Sequence, residues 1–456
     1  MRKLFISSIL TFLFLFADFN SVLAISDPRD DVNNKVGIGL LSPDSEIPEA
    51  AEMVNNNGDW GWVTLVIRKS ERDLARWQFV FGSLNKNHLI PIVRIATDMD
   101  PRGFWQRPSD EDAQQWADFL SKLYWPTKNR YVQIYNEVNH ANEWGGKVDG
   151  VDYSRELEKT IKYLKDKNSD FFVLNAPLDL AAPTTASSLD AGVFLETMAN
   201  SGVLDKLDGW ASHSYPNPNF SANPNQEGRL GIGGYLWELS EIKKFGASDI
   251  PVFITETGWK RSNSLDQQTI ADYYKIAFEK VWNDKNIVAV TPFVFDYPDP
   301  LYAAFSFKTN GSVLGEKYHS YFSQIRDLPK EKGDPRREDL VSDFVLKMPP
   351  VIIKGFPEKG TVTFKNNGNY IWNVNEGTSL QVSSNNLRVQ NILWERKEIY
   401  PGQIAEVKFK VEADNPGQGN INIKLIDEGI VLGEKDVAVK NETLLEWFFN
   451  FLKIFS

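Results

Sequence analysis

The sequence predicts an α/β chain, a (β/α)8 barrel followed by a small all-β sandwich, and two observations carry that prediction. From 35 to 327, eight short apolar, β-branched runs alternate with longer amphipathic stretches. The repeat is roughly 37 residues, which suits a barrel of about 250 residues with loop insertions. Beyond a charged segment with Pro and Gly, DLPKEKGDPRRED, the hydrophobic period falls to two. The expected divisions are a leader over 1–24, a barrel over 35–327, a linker over 328–345, a sandwich over 346–440 and an apolar helical tail over 441–456.

The strand candidates are KVGIGLL, WVTLVI, LIPIVRI, YVQIYN, FFVLN, GWAS, PVFITE and NIVAVTPFVF. Between them lie helical stretches such as SERDLARWQFVFGSLNK, SDEDAQQWADFLSKLY and LDQQTIADYYKIAFEKVW, with Ser70, Ser109 and Ser264 expected as N-caps. A doubly wound open sheet is the rival. It calls for a glycine-rich turn after the first strand, and GLLSPDSE is not one. In the sandwich, GTVTFKNNG, IAEVKFKVEAD, GNINIKLIDEG and KDVAVK alternate apolar and polar residues between turn residues.

Arg2 and Lys3, the run LFISSILTFLFLF and the small residues Val22 and Ala24 read as a secretory signal, with a retained N-terminal anchor as the second reading. The expected location is therefore secreted or cell-surface. The chain has no Cys, which excludes thiol nucleophiles and Cys-ligated zinc. Its four His, at 88, 140, 213 and 319, form no His-x-His, so no metal or other cofactor is expected. The net charge of −11 disfavours nucleic acid as a partner. The 14 Trp, 15 Tyr and 29 Phe favour neutral ligands with flat faces. The tail NETLLEWFFNFLKIFS is apolar nearly all round and too short to span a bilayer. Packing on the sandwich and lying on a membrane surface are both open to it.

Catalytic candidates follow from strand ends, because barrels present chemistry there. Asn-Glu occurs four times, at 136–137, 142–143, 375–376 and 441–442, but only Asn136-Glu137 is delivered by a strand, the fourth. Asn142-Glu143, beside Trp144 in the next loop, reads as at most a substrate contact. Glu256 ends the seventh run, PVFITE, about three βα units later. Two carboxyls flanking one bond are what glycoside hydrolysis needs: one protonates the leaving oxygen while the other attacks or activates water. Arg94 interrupts an apolar strand in LIPIVRIAT, and a buried guanidinium requires an anionic partner; Arg68 is the second choice.

A strand four ending in Asn136-Glu137, His213-Ser214-Tyr215 after strand six and a strand seven ending in Glu256 together resemble glycoside hydrolase clan A, the retaining (β/α)8 glycosidases. NEVNHANEW is similar to the motif of family 39 and TETGW to that of families 17 and 53, so the resemblance is to the clan, near families 39, 5, 17 and 53. It implies Glu137 as acid/base, Glu256 as nucleophile and Asn136 as donor to a sugar 2-hydroxyl. It further implies that His213 and Tyr215 orient Glu256 and that Arg94 lies near it. Where the clan often ends strand eight with Trp, PFVFDYPDP offers Phe295, Asp296 and Tyr297. Trp105, Trp144 and Trp259 are alternative sugar platforms, and Asn175, Asp296 and Tyr297 complete the expected substrate contacts. The sandwich is similar to four-tryptophan Ig-like domains, with Trp372 and Trp394 present. It reads as a spacer or surface module, or as a carbohydrate-binding one. The partner expected is a β-linked oligo- or polysaccharide. A barrel that binds glycans without cleaving them is the rival function.

Overall fold

The computed structural model describes residues 25–56, 60–247, 249–309, 317–337, 340–427 and 429–453; the expected leader lies outside the described residues. Each apolar run forms a strand: β1 (Gly37–Leu40), β2 (Gly61–Arg68), β3 (Leu89–Ala96), β4 (Arg130–Ile134), β5 (Phe171–Leu174), β6 (Trp210–Ser212), β7 (Val252–Ile254) and β8 (Ile287–Val290). A helix follows each in turn: α1 (Pro43–Val54), α2 (Leu74–Lys86), α3 (Asp112–Leu120), α4 (Gly150–Lys167), α5 (Ala191–Asn200), α6 (Gly234–Lys243), α7 (Gln267–Ile276) and α8 (Ser320–Arg326).

The strands pair in parallel and in chain order, β1 to β5 in one sheet and β6 to β8 in a second. Parallel bridges Leu174↔Gly209 and Val36↔Val290 tie the two sheets together at both ends. The residues sort by strand periodicity, since alternate side chains take opposite faces. One set, including Val63, Leu65, Val93 and Val132, packs under the helices. The other, including Trp62, Ile90, Ile92, Tyr131, Phe172 and Phe253, forms a separate cluster. There the Tyr131 ring lies 5.0 Å from Trp62, 5.0 Å from Phe172 and 5.5 Å from Phe253, so β2, β4, β5 and β7 meet through their side chains.

The expected serine caps are displaced by aspartates. Asp73 caps α2 by accepting from Ala75 and Arg76 N–H, and Asp266 caps α7 through Thr269 N–H. A carboxylate adds favourable charge at the positive helix end. Ser70 instead donates to Asp98, and Ser264 meets Ser262. At α3, Asp112 accepts from Ser109 N–H, reversing the expected roles.

The C-terminal part comprises β9 (Val341–Lys347), β10 (Val351–Ile353), β11 (Glu358–Asn366), β12 (Trp372–Asn373), β13 (Ser379–Asn385), β14 (Leu387–Trp394), β15 (Glu398–Ile399), β16 (Ile404–Ala413), β17 (Gly417–Asp427) and β18 (Ile430–Glu442). Two four-stranded sheets, β14-β16-β11-β9 and β10-β18-β17-β13, share one core that includes Phe364, Trp372, Val407, Phe409, Ile421 and Ile423. Strand β9 begins inside the expected linker. The stretch before it is docked: Arg336 carbonyl accepts from Lys128 N–H at 2.8 Å, and the Arg337 guanidinium lies over both Trp60 and Tyr370. Strand β18 takes the first two residues of the expected tail, and helix α9 (Leu444–Lys453), which follows it, buries none of its residues.

Candidate active site

Strand alternation aims the first charged group. Ile90 and Ile92 of β3 join the inner cluster, and Arg94 is the next residue on that face. Glu137 follows β4 by three residues and Glu256 follows β7 by two. The chain leaves β4 through left-handed backbone, with φ +70° at Tyr135 and +32° at Glu137. Such conformations cost about 1–3 kcal/mol each for residues with side chains, and they concentrate at functional sites. Glu137 is held there by its N–H to the Pro177 carbonyl at 3.0 Å and by His140 N–H to its own carbonyl at 2.8 Å.

The side chains form one connected network. Arg94 Nη1 donates to Glu256 Oε1 at 3.0 Å and to Asn136 Oδ1 at 2.8 Å. Tyr215 Oη donates to Glu256 Oε2 at 3.2 Å. His213 Nδ1 lies 2.9 Å from Glu137 Oε1 and 3.8 Å from Glu256 Oε2. The imidazole thus sits between the two carboxyls and is bonded to Glu137, whereas the resemblance had it serving Glu256. Burial alone would lower the His213 pKa, but Glu256 and Glu137 outweigh it and the net direction is upward. Arg68, the second-choice arginine, pairs with Glu71.

The motif around Glu256 is largely scaffolding. Thr257 Oγ1 donates to the Ser214 carbonyl at 2.7 Å, tying β7 to β6. Gly258 has φ +134°, and a Cβ there would come within 2.7 Å of Tyr274 Oη. Trp259 is buried, donates to the Ala222 carbonyl and packs on Tyr274, so it is not a sugar platform. Trp144 is likewise enclosed: its ring packs on Tyr135 and Tyr153, and its N–H meets Asp152. Asn175 is fully buried and exchanges hydrogen bonds with the Ala211 backbone, which splices β5 to β6 and leaves no group for a ligand. Asp296 accepts from Ser306 and faces Glu46. His140 bonds Asp179 at 2.8 Å.

Three of the expected aromatic residues keep access to the mouth. Trp105 is half-buried and shares a small cavity with Arg94 and Asn136; Tyr215 reaches Glu256; Tyr297 joins an aromatic rim. That rim runs Tyr297, Tyr302, Phe293, Phe305, Phe220, Tyr215, with neighbouring centroids 5.0 to 5.8 Å apart. Phe295, offered for the strand-eight position, is fully buried. Phe293 stands at the rim instead, three residues beyond β8 as Glu137 is beyond β4, and that offset is a signal the sequence did hold. Tyr302 feels the charges of Glu137, Glu256 and Glu143, a placement no local motif announces.

Glu143 also belongs to the site. It ends a short 3₁₀ turn, Ala141–Glu143, is half-buried and lines the small cavity beside Arg94, Asn136 and Trp105. Burial first, then the nearby Glu137 and Glu256 carboxyls, push its pKa up to about 7 against the opposing pull of Arg94. The sequence reading had set this Asn-Glu pair aside.

No family model matches the chain, and no curated protein does. Among solved structures, it is similar to a family 39 glycoside hydrolase from Bacteroides cellulosilyticus WH2, at 14% identity and TM-score 0.46 over 84% of this chain and 82% of that one. It is also similar to a family 128 endo-β-1,3-glucanase from Sorangium cellulosum, at 12% identity and TM-score 0.43 over 65% and 98%. A third is endo-glycoceramidase II from Rhodococcus sp., at 12% identity and TM-score 0.42 over 85% and 99%.

Proposed function

We propose that this protein is a retaining glycoside hydrolase acting on β-linked glycans from a (β/α)8 barrel, with Glu137 as acid/base and Glu256 as nucleophile. The observation that carries it is one imidazole set between two carboxyls from different strands. By the triangle rule, Glu137 Oε1 and Glu256 Oε2 lie no further apart than the two His213 distances together, about 6.7 Å. Retaining pairs stand about 5–5.5 Å apart and inverting pairs about 6.5–9.5 Å, so the cap favours retention. Barrel closure is supported by the two bridges that link the sheets and by the aromatic residues meeting inside.

In the first step Glu256 attacks the anomeric carbon while Glu137 delivers a proton to the departing oxygen, giving a glycosyl ester on Glu256. In the second, Glu137 takes a proton from water, which displaces the ester oxygen and returns both groups to their starting state. Arg94 and Tyr215 hold Glu256 by one hydrogen bond to each oxygen, which fixes the plane of the nucleophile. The aromatic rim supplies apolar faces for sugar rings.

Hydrolysis of aryl β-glycosides or soluble β-glucans, lost in Glu256→Ala, is the expected result; unchanged hydrolysis in that variant sinks the assignment. A 2-fluoro glycoside should leave its adduct on Glu256. Polysaccharide binding with no cleavage in the wild-type protein would favour the glycan-binding rival. We further propose export and contact with a membrane surface through α9, whose Leu445, Phe448, Phe449 and Phe451 are exposed. Cell fractionation and vesicle co-sedimentation of the chain with and without 444–456 test these two points.

A further inference from the structure

The sandwich meets the barrel at the starts of its strands. Arg130, the first residue of β4, donates from Nη2 to Asn369 Oδ1 at 3.4 Å, and Asn369 Nδ2 donates to the Thr127 carbonyl at 3.3 Å. Lys86, the last residue of α2 before β3, pairs with Glu376. Because the strands run parallel, their starts lie on the face opposite Glu137 and Glu256. Beside α2 this junction leaves a cleft of about 860 Å³. Aromatic faces enter it from both sides: Phe79 of α2, 69% exposed, Tyr124 after α3, and Tyr400 after β15, 36% exposed, whose ring stands 6.3 Å from that of Tyr124.

Two features of the α2 wall have no explanation within the chain. Gly82 stands inside the helix, where glycine costs about 1 kcal/mol against alanine, yet a Cβ there would meet nothing within 4 Å. The bare backbone admits no neighbour from this chain; it keeps the cleft open. Three residues on, Asn85 lines the cleft at 8% exposure, and its Oδ1 has no hydrogen-bond partner. The same holds for Nε2 of Gln78, whose Oε1 accepts from Tyr124 N–H at 3.2 Å. A buried amide atom left unpaired costs about 1–3 kcal/mol, which a hydroxyl or a bridging water would relieve. Of the cleft's charges, Lys86 is paired with Glu376 and Glu398 accepts from Tyr400 Oη at 3.1 Å, so no uncompensated cation stands among these residues to draw an anionic ligand. Flat faces, amides and paired charges match a neutral chain of sugar rings, apolar on their faces and hydroxylated at their edges.

We propose that this cleft is a second glycan-binding site, which takes a neutral stretch of oligo- or polysaccharide between α2 and the sandwich. Phe79 and Tyr400 supply stacking faces, and the Gln78 and Asn85 amides form the polar floor. The site anchors a polymer on the face opposite the mouth and makes the docked sandwich part of a binding surface. It needs neither Glu137 nor Glu256, so it stands apart from the hydrolase reading.

The test uses the full chain carrying Glu256→Ala, to stop cleavage, in affinity electrophoresis through gels containing soluble β-glucan, xylan, mannan or galactan. At least one polymer should retard this protein, and adding Tyr400→Ala or Phe79→Ala should weaken the apparent affinity about ten-fold. Gly82→Trp is the sharper variant. It starts a large side chain in open space on the cleft wall and removes a glycine from a helix interior, so retardation should be lost while the melting temperature holds or rises. With Glu256 in place, Gly82→Trp should leave kcat/KM on an aryl β-glycoside unchanged, since the mouth is on the other face. Retardation that persists in Gly82→Trp would put the binding elsewhere and overturn the proposal, as would no retardation by any of the four polymers. Should the wild type cleave no glycoside, the hydrolase reading fails, and the gels still decide the cleft.

Discussion

Glu256 and Asp427 invite comparison, because each stands at or just past the end of a strand and each accepts from a tyrosine hydroxyl. Asp427 closes β17 in the C-terminal sheets, is 3% exposed, and takes Tyr370 Oη at 2.9 Å on one oxygen and Thr378 Oγ1 at 2.6 Å on the other. Glu256 takes Tyr215 and Arg94 in the same way, but its side chain keeps 18% exposure and it stands within reach of Glu137 through His213 and of Glu143. Asp427 is held by a hydroxyl on each oxygen and sealed from water, whereas Glu256 is crowded by like charge and open. A buried carboxylate that is fully served holds a fold together; one that is incompletely served holds potential for chemistry.

The sharpest way to break this contrast is to delete the open carboxylate. Glu256→Ala should lower kcat/KM by about 10⁴-fold while cooperative unfolding is retained, read from glycoside hydrolysis alongside a thermal melt. If Glu256→Ala instead unfolds the protein with little loss of turnover per folded molecule, the two carboxylates are the same kind of residue.

The fold was largely legible in the chain, since the eight apolar runs are the eight strands and period-two patterning marks β11, β16, β17 and β18. Strand ends could be read as well and single out Glu137 and Glu256, while Arg94 is marked by interrupting an apolar strand and His213 by the family resemblance. What was not legible is set by long-range packing. Nothing local distinguishes Trp105, half-exposed, from Trp144, whose loop folds back onto Tyr135 and Tyr153. Asn175 looked like a strand-end polar group until the β5–β6 seam claimed all its hydrogen bonds. Glu143 was set aside because no strand delivers it; a turn zipped to the Trp105 loop does, and such a pairing leaves no periodic trace.

The next effects fall on stability. Trp144→Ala opens a cavity in the main core and should cost about 3–5 kcal/mol in denaturant unfolding, with kcat/KM of the remaining folded protein little changed. Glu238 sharpens the comparison from between its two extremes: fully buried, it accepts from the Ser212 hydroxyl behind His213, and burial raises its pKa to about 8. A folded pKa above the unfolded value means stability is fullest below about pH 4.5 and is lost as pH climbs towards 8. Glu238→Gln should flatten that decline, removing about 2–4 kcal/mol of pH dependence in melts from pH 4 to 8. An identical slope in both proteins would mean that the carboxyl ionises freely. Asp427→Ala should cost about 1–3 kcal/mol by stranding the Tyr370 and Thr378 hydroxyls, and leave turnover intact.

The smallest expected effect bears on the mouth itself. Trp105 borders the cavity beside Arg94, Asn136 and Glu143, and its backbone is fixed by the Asn142 and Gly145 hydrogen bonds, so loss of the indole need not move the loop. If the ring contributes a stacking face for a sugar, Trp105→Ala removes contact made equally with substrate and transition state. KM should then rise about ten-fold with kcat nearly constant, and Trp105→Phe should restore most of the loss. A fall in kcat at constant KM would carry a different meaning: the indole would be acting by holding Glu143 in place, and Trp105 would belong with the charge network rather than with the aromatic rim.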